Sequence, residues 1–241
     1  MDHNLIIRNR LLAGLPQTDL ALLAPQLSAV SMKEGDILQE ADTPIDEIYF
    51  PVSGLVSLVT VMRTGEIAET AMVGREGAIG SYAGLIQVQA PARAIVQIPG
   101  TAAAILGSRL RAAVSRGEAL RHLLLQYNER LMALIQQTAA CSALHGVEGR
   151  LARWLLQALD RGDNSSLAIT QENLSQALGV RRTTLTLVAC KFRDLGLIRY
   201  QRGLIHVVNR GGLETVACEC YATLRRRSHG AVTQPGAQYG T

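Results

Sequence analysis

The sequence is poor in cysteine and has no long apolar stretch, and these two shortages exclude several classes of protein. No run of residues approaches the roughly 18 consecutive apolar positions of a membrane-spanning helix. The first residues, Met-Asp-His-Asn, lack the basic-then-apolar order of a secretory signal. Four cysteines in 241 residues are too sparse for a disulfide scaffold. We therefore expect a cytoplasmic protein with reduced thiols and no membrane contact.

The motifs of common enzymes are missing as well. The sequence contains no nucleophile elbow, no phosphate-binding P-loop and no pair of histidines at metal-ligand spacing on one helix. Its five histidines, at positions 3, 122, 145, 206 and 229, are scattered along the chain. The sequence thus predicts neither an enzyme nor a metal site.

Charge is distributed unevenly along the chain. Residues 1–146 carry 11 Arg and Lys against 13 Asp and Glu, a net charge of −2. Residues 147–241 carry 13 against 7, a net charge of +6. A basic domain joined to a mildly acidic one is typical of a polyanion-binding module with a separate input domain, because phosphate neutralisation supplies most non-specific DNA affinity.

Short β-rich segments dominate the first half of the chain. After a helical opening, turn signals such as Glu34-Gly35-Asp36 and Arg63-Thr64-Gly65 separate β-branched runs at 55–62 and 94–98. Strands of this length, with turns every ~8–12 residues, predict a small sandwich or barrel. We assign residues 1–108 to this domain, which would serve as the sensor.

Beyond residue 108 the apolar period becomes helical, and residues 109–145 are expected to form one long helix. Seven positions follow alternating spacings of four and three over three heptads: Leu120, Leu124, Tyr127, Leu131, Leu134, Thr138 and Cys141. We interpret this seam as the interface of a homodimer, because a helix of ~30 residues is longer than a small domain usually buries alone. The alternative is that the stripe packs on the β domain of its own chain.

Residues 146–227 predict a winged helix-turn-helix. Thr170 can cap a helix that ends at Gly179, where the sharp turn favours a residue without a Cβ. A second helix would begin near Arg181 or Arg182 and end at Gly196; its expected buried residues are Leu185, Val188, Ala189, Phe192 and Leu195. Segments 197–201 and 204–208 would form the wing, a hairpin with a tight Arg-Gly turn. The remaining residues, 228–241, are expected to be disordered.

The outer side of the second helix would read the major groove of DNA. Arg182 could bond guanine, Thr183 and Thr186 could reach base edges, and Leu187 could touch a thymine methyl. The alternative is that Arg181 and Arg182 contact phosphate alone. Residues 181–202 hold six cations and one anion, a net charge of +5. The full set of predicted DNA contacts is Thr170, Arg181, Arg182, Thr183, Thr184, Thr186, Leu187, Lys191, Arg199 and Arg202.

This order of parts resembles the Crp/Fnr family of bacterial transcription regulators over most of the chain. Segments 179–185 and 194–198 match the family's recognition-helix start and its exit into the wing, and 34–38 and 48–54 look like β-roll segments. The resemblance implies an α+β fold: a cyclic-nucleotide-binding-like jelly roll, a long dimerisation helix and a C-terminal winged helix-turn-helix. It also implies a homodimer that binds a palindromic operator on double-stranded DNA and contacts RNA polymerase.

The sequence departs from the family where cyclic-nucleotide-binding members hold their ligand. Those members pair Gly-Glu, which binds the ribose, with Arg-Ser or Arg-Thr, which binds the cyclic phosphate. Here Gly80 is followed by Ser81, and the arginine position falls near Ala90-Pro91. We therefore expect no cofactor and no cyclic AMP, but an unidentified small effector is possible. Its candidate pocket consists of Gly80, Ser81, Arg93 and Thr138.

The pair Cys218-Glu219-Cys220 raises an alternative, a redox- or metal-gated regulator. Residues two apart on a helix point about 200° apart, so the two thiols cannot jointly bind a metal unless the helix breaks. We expect structural burial of these cysteines instead, since free cysteine is among the most buried residue types. A ligand-binding signalling module without specific DNA binding is the other alternative, and the charge of segment 181–202 argues against it.

Overall fold

The computed structural model describes residues 2–162, 166–201 and 203–229, with side chains described as far as Arg227. Three short helices open the chain: α1 (His3–Ile6), α2 (Arg10–Ala13) and α3 (Gln17–Leu23), followed by a 3₁₀ turn at Ala24–Gln26. Seven strands follow: β1 (Ser28–Met32), β2 (Ile37–Gln39), β3 (Glu47–Pro51), β4 (Leu55–Val61), β5 (Ile67–Val73), β6 (Arg93–Ile98) and β7 (Gly100–Leu106).

The seven strands form two antiparallel sheets that enclose one core. The sheet orders are β1-β7-β3 and β2-β6-β4-β5. Phe50 and Ile105 from the first sheet share an apolar cluster with Val56 and Val96 from the second, as expected when alternate side chains of facing strands point inward. This β-roll, followed by a long helix and a helix-turn-helix domain, confirms the predicted α+β fold.

The single long helix predicted for 109–145 is corrected: two helices follow the roll, α4 (Gly107–Val114) and α5 (Glu118–Leu144). At 1.5 Å per residue, the 27 residues of α5 make a rod of about 40 Å. The apolar stripe predicted to form the dimer seam does not face solvent on α5. Leu120, Leu124, Tyr127 and Leu131 are buried in the core of the β-roll, and Leu134 packs against it.

The interpretation of these seven residues as a dimer interface is therefore corrected. The Tyr127 hydroxyl donates to the carbonyl of Ala78 at 2.9 Å, which fixes the direction of the stripe towards the roll. Thr138 and Cys141 are also buried within the chain. The physical reason is that the four-and-three spacing specifies only a helix with one apolar side. Here the first part of that side packs on the chain's own roll, and Cys141 near its end faces Cys218.

The basic domain begins with α6 (Val147–Arg161) and continues with β8 (Ser166–Ala168), α7 (Gln171–Leu178), α8 (Arg182–Asp194), β9 (Ile198–Gln201) and β10 (Leu204–Val207). The three strands pair antiparallel in the order β8-β10-β9. The chain then forms α9 (Arg210–Val216) and α10 (Cys220–His229). Trp154, Phe192 and Ile205 are among the side chains of a second core.

The start of α10 corrects a prediction. Cys218 and Cys220 do not share a helix, because the chain is extended at Ala217 and α10 begins only at Cys220. Most of the predicted disordered tail, residues 230–241, lies outside the described residues. Within the described ranges, no helix is both long and apolar enough to cross a membrane.

Candidate DNA-binding surface and effector site

Two local features that were predicted from the sequence, a helix cap and a glycine in the turn, shape the helix-turn-helix. The Thr170 side chain accepts a hydrogen bond from the amide of Asn173 at 3.1 Å, so it caps α7 as predicted. At the other end, Gly179 has φ +61°, the left-handed conformation that glycine adopts without a Cβ clash. Thr170 thus fixes where α7 begins, and Gly179 fixes where it ends and hence the angle at which α8 leaves the turn.

α8 is amphipathic, and its inner side anchors it to the second core. Leu185 and Phe192 are fully buried, and Val188 is nearly so. Two expected core residues differ: Ala189 is half-buried, and Leu195 is exposed. Leu195 is the C-cap of the helix, and Leu197 and Ile198 fill the core after the turn instead.

The outer side of α8 carries most of the predicted DNA contacts. Arg181, Arg182 and Thr183 are exposed at its N-terminal end. Leu187 is 73 % exposed one turn further on. Its own fold therefore leaves most of this apolar side chain in water. Thr184 and Thr186 are half-buried beside this group.

Several polar side chains of this surface already have partners. The Lys191 ammonium contacts the Glu148 carboxylate at 2.7 Å, and the Thr186 hydroxyl is hydrogen-bonded to the Gln171 side chain at 3.1 Å. Arg182 has only a loose contact with Glu172, at 3.9 Å, and both side chains are well exposed. The arginine can therefore turn to DNA without breaking a close ion pair, but the lysine cannot.

The wing is the hairpin of β9 and β10. Arg199 lies exposed on β9, paired with His206 of β10. Gly203, in the turn, has φ +80°, as a tight hairpin turn requires. Arg202, the other predicted contact in the wing, lies outside the described residues.

The predicted effector residues do not form one pocket. The hydroxyl of buried Ser81 donates to the Asn128 side chain of α5 at 2.5 Å. Thr138 lies ten residues further along the same helix, about 15 Å away along its axis. Sequence reasoning missed Asn128 because nothing in the pattern of α5 distinguishes this polar residue from the exposed ones. Its amide nitrogen is buried and has no hydrogen-bond partner in the described part of the chain.

The remaining two candidates also have internal roles. Arg93 forms an ion pair with Glu40 at 2.8 Å, and this hydrogen bond holds the pKa of the Glu40 carboxyl below its usual value. Gly80 has φ +75°, and a Cβ there would lie 2.8 Å from Ile45 Cγ2, so the position requires glycine. The positive charge of Arg93, which was expected to bind an anionic effector, is thus paired with the Glu40 carboxylate.

Polar contacts attach the basic domain to the β-roll, and the sequence does not signal them. The Trp154 indole donates to Glu69 at 2.9 Å, and Arg161 bonds Glu76 at 2.7 Å. Burial under this contact raises the pKa of the Glu69 carboxyl to about 7, against the opposing effect of its hydrogen bonds from Ser57 and Trp154. The two domains are therefore in contact through α6 and the region of β5.

Family models match both parts of the chain. The cyclic nucleotide-binding domain matches residues 29–116, and the Crp-like helix-turn-helix domain matches residues 149–216. A β-roll joined through a long helix to an exposed, basic recognition helix defines a DNA-binding transcription regulator. With both of its domains matched, the chain belongs to the Crp/Fnr family. Among curated protein sequences, none matches the chain.

Solved structures share the fold at low sequence identity. FixK2 from Bradyrhizobium japonicum has 16 % identity and a TM-score of 0.69 over 80 % of this chain and 98 % of its own. A CRP/FNR family regulator from Thermus thermophilus has 23 % identity and a TM-score of 0.64, over 79 % and 98 %. The c-di-GMP responsive global regulator CLP of Xanthomonas campestris has 14 % identity and a TM-score of 0.63, over 80 % and 99 %.

Proposed function

We propose that this chain acts as a homodimer that binds a palindromic operator, with each α8 in one major groove. The observation that carries this proposal is the exposed set Arg181, Arg182, Thr183 and Leu187, which stands on a helix whose opposite side is buried. Donors for base edges and an apolar contact for a thymine methyl lie together at the start of the helix, where recognition helices contact bases. As a regulator of transcription, the bound dimer would contact RNA polymerase.

The dimer would form through the outer face of α5. Leu125 and Met132 are 53 % and 47 % exposed, although both are large apolar side chains. Ala139 and Ala143 continue the same stripe at spacings of seven and four, and both are exposed. This stripe repeats every seven residues, as one seam position of a two-stranded coiled coil does, and it has small residues where the helices would approach closely. The interleaved seam positions are the polar residues Glu129 and Gln136, followed by Ala143. It replaces the buried seam as the proposed interface.

Two α5 helices paired in this way would hold two recognition helices on one side of the dimer. Half-sites one helical turn apart, about 34 Å, would then be read together. We expect the effector to be something other than cyclic AMP, because Arg93 is paired with Glu40 and Ser81 with Asn128. CLP shows that this fold serves a regulator that responds to a different ligand.

The experiment that tests this function starts with selection of a preferred duplex from a random library by the full-length protein. Binding of that duplex and of an unrelated one is then compared for wild type, Arg182→Ala and the control Lys191→Ala at several salt concentrations. Arg182→Ala should lose about 1–3 kcal/mol of binding to the selected duplex and little to the unrelated one. Lys191→Ala should retain the preference, because Glu148 holds that ammonium.

Two results would contradict the proposal. One is a wild-type protein that enriches no duplex over random competitor. The other is an Arg182→Ala variant with unchanged preference, since the recognition surface would then lie elsewhere. The dimer should remain intact in both variants, because neither residue lies on α5.

A further inference from the structure

Four potential metal ligands converge at the junction between the two domains. They are Cys141 and His145, one turn apart at the end of α5, and Cys218 and Cys220, at the break before α10. The three sulfurs and a ring nitrogen of His145 lie within 4.8 Å of one another. We propose that these residues form a zinc site that clamps the basic domain to α5.

The distances fit a single tetrahedral ion. Ligands at about 2.3 Å from a tetrahedral centre are about 3.8 Å apart. Cys141 Sγ lies 3.5 Å from Cys218 Sγ, and Cys220 Sγ lies 3.5 Å from His145 Nδ1. An iron–sulfur core is several atoms wide and would hold its ligands farther apart. Three thiolates and one imidazole are a common ligand set of structural zinc.

The surroundings of the histidine also suit a metal ligand. Its Nδ1 faces Cys220, while its Nε2 lies 3.9 Å from a carboxylate oxygen of Glu219. Histidines that bind a metal through one nitrogen usually direct the other to a carboxylate or carbonyl, which fixes the ring and its tautomer. At 3.9 Å this contact is longer than a hydrogen bond and Glu219 is exposed, so Glu219 would act as a positioning residue by closing onto the ring when the metal is bound.

Charge and burial give a second, independent indication. A zinc ion with three thiolates and one histidine carries a net charge of −1. Arg153, from α6, is only 4 % exposed, and its Nε has no hydrogen-bond partner in the described part of the chain. Its charge acts on both Cys141 and Cys218. A buried guanidinium needs compensating negative charge nearby, and the metal centre would supply it in addition to the Glu69 carboxylate, on which Arg153 also acts.

The position of the site indicates what the metal would do. The chain passes from α5 to α6 at His145 and Gly146, and a Cβ at Gly146 would meet no atom within 4 Å. The amide of Cys218 donates to the carbonyl of Gly149 in the first turn of α6, at 3.3 Å. One ion would thus join the end of α5, the start of α10 and, through this bond, the start of α6. The metal would add a restraint on the angle between α5 and α6 to those that the Trp154–Glu69 and Arg161–Glu76 contacts supply.

The test uses the full-length protein, purified with reductant and without oxygen, and does not depend on DNA binding. Metal content is measured first; the metal-free protein is then titrated with Co²⁺ and back-titrated with Zn²⁺. We expect one metal ion per chain, with the visible bands of tetrahedral cobalt and thiolate-to-cobalt charge transfer. Cys218→Ser should weaken zinc binding by more than about 100-fold. Cys190→Ser, which changes a cysteine of α8 outside the group, should bind as wild type does.

Three outcomes would overturn the proposal. The first is wild-type protein that binds no stoichiometric zinc or cobalt when fully reduced. The second is equal metal affinity of Cys218→Ser and Cys190→Ser, with both folded by circular dichroism. The third is a stable disulfide between Cys141 and Cys218 whose reduction restores no metal binding, since the cluster would then be a redox pair. The titration of the wild-type protein decides whether zinc binds at all, so the proposal can be tested even if a variant misfolds.

Discussion

The indole nitrogen of Trp154 lies 2.9 Å from a carboxylate oxygen of Glu69, and this hydrogen bond joins the DNA-binding domain to the β-roll. Glu69 lies on β5 and Trp154 on the first helix of the basic domain. The same carboxylate is hydrogen-bonded to Ser57 of β4. An ionisable group thus sits in the contact between the input and output domains.

This contact should make stability depend on pH. The pKa of Glu69 is raised from 4.5 to about 7, so between these values the folded protein binds a proton more readily than the unfolded chain. The free energy of unfolding should therefore fall as pH rises from about 5 to about 8, by on the order of 1–3 kcal/mol. Glu69→Gln should flatten this dependence. Denaturation with urea at each pH measures the effect.

The matched control is Glu66→Gln, in the exposed turn just before β5. It should leave the pH dependence of wild type in place. A Glu69→Gln curve that parallels wild type across the whole range would show that the carboxylate is not the responsible group.

Substitutions at two adjacent residues of α5 should affect dimer formation and folding separately. Leu125→Glu places a charge on the exposed stripe and should give a monomer with nearly unchanged thermal stability. Leu124→Ala creates a cavity in the β-roll core, where Leu124 is fully buried, and should cost about 2–5 kcal/mol. Sedimentation velocity and denaturation give the two readouts. A wild-type protein that sediments as a monomer at micromolar concentration would contradict the proposed interface.

Cyclic AMP should not stabilise the protein. A ligand at 100 times its dissociation constant stabilises the folded state by about 2.7 kcal/mol, a shift of several degrees in melting temperature. With Arg93 paired to Glu40 and Ser81 to Asn128, we expect no such shift. The measurement is a thermal melt against increasing cyclic AMP, with AMP as the control. A saturable rise with the cyclic nucleotide alone would show that these pairs open for it.

Glu219→Gln should weaken zinc binding without abolishing it. The amide keeps the shape of the side chain but loses the charge that would draw it onto His145 in the metal-bound site, and such outer partners are typically worth 10–100-fold in metal affinity. We expect a loss of about 10-fold, with an unchanged cobalt spectrum. Competition with a chromophoric chelator measures it, and Glu118→Gln, at the far end of α5, is the control. Equal affinities would mean that Glu219 does not position the histidine.

The helix-turn-helix was the part that sequence predicted best, because its signals are local. Thr170 as a cap, Gly179 in the turn and Phe192 in the core each act within a few residues of where they stand. Their spacing alone therefore defines both helices. Leu195 was expected in the core but is exposed. Its burial depends on the exact end of α8, that is, on whether the chain turns one residue earlier or later.

The long helix and the cysteines were harder because their partners are distant in sequence. The stripe through Leu124 and Tyr127 is equally suited to a second chain and to the chain's own roll, and only the fold decides between them. Likewise, Cys141 and Cys218 are 77 positions apart, and the extended residue Ala217 carries no glycine or proline signal. Two cysteines two residues apart on a continuous helix would point apart, but the chain is extended at Ala217, so both thiols reach the same place.

Helix α6 contacts the roll through two polar pairs, Trp154 with Glu69 and Arg161 with Glu76. It belongs to the same domain as the recognition helix α8. If the domain moved away from the roll, these contacts would break together with those of α7 on β5 and with the hydrogen bond from the Asn173 side chain to Glu34 at 3.0 Å. The arrangement therefore favours an all-or-none response over a graded one.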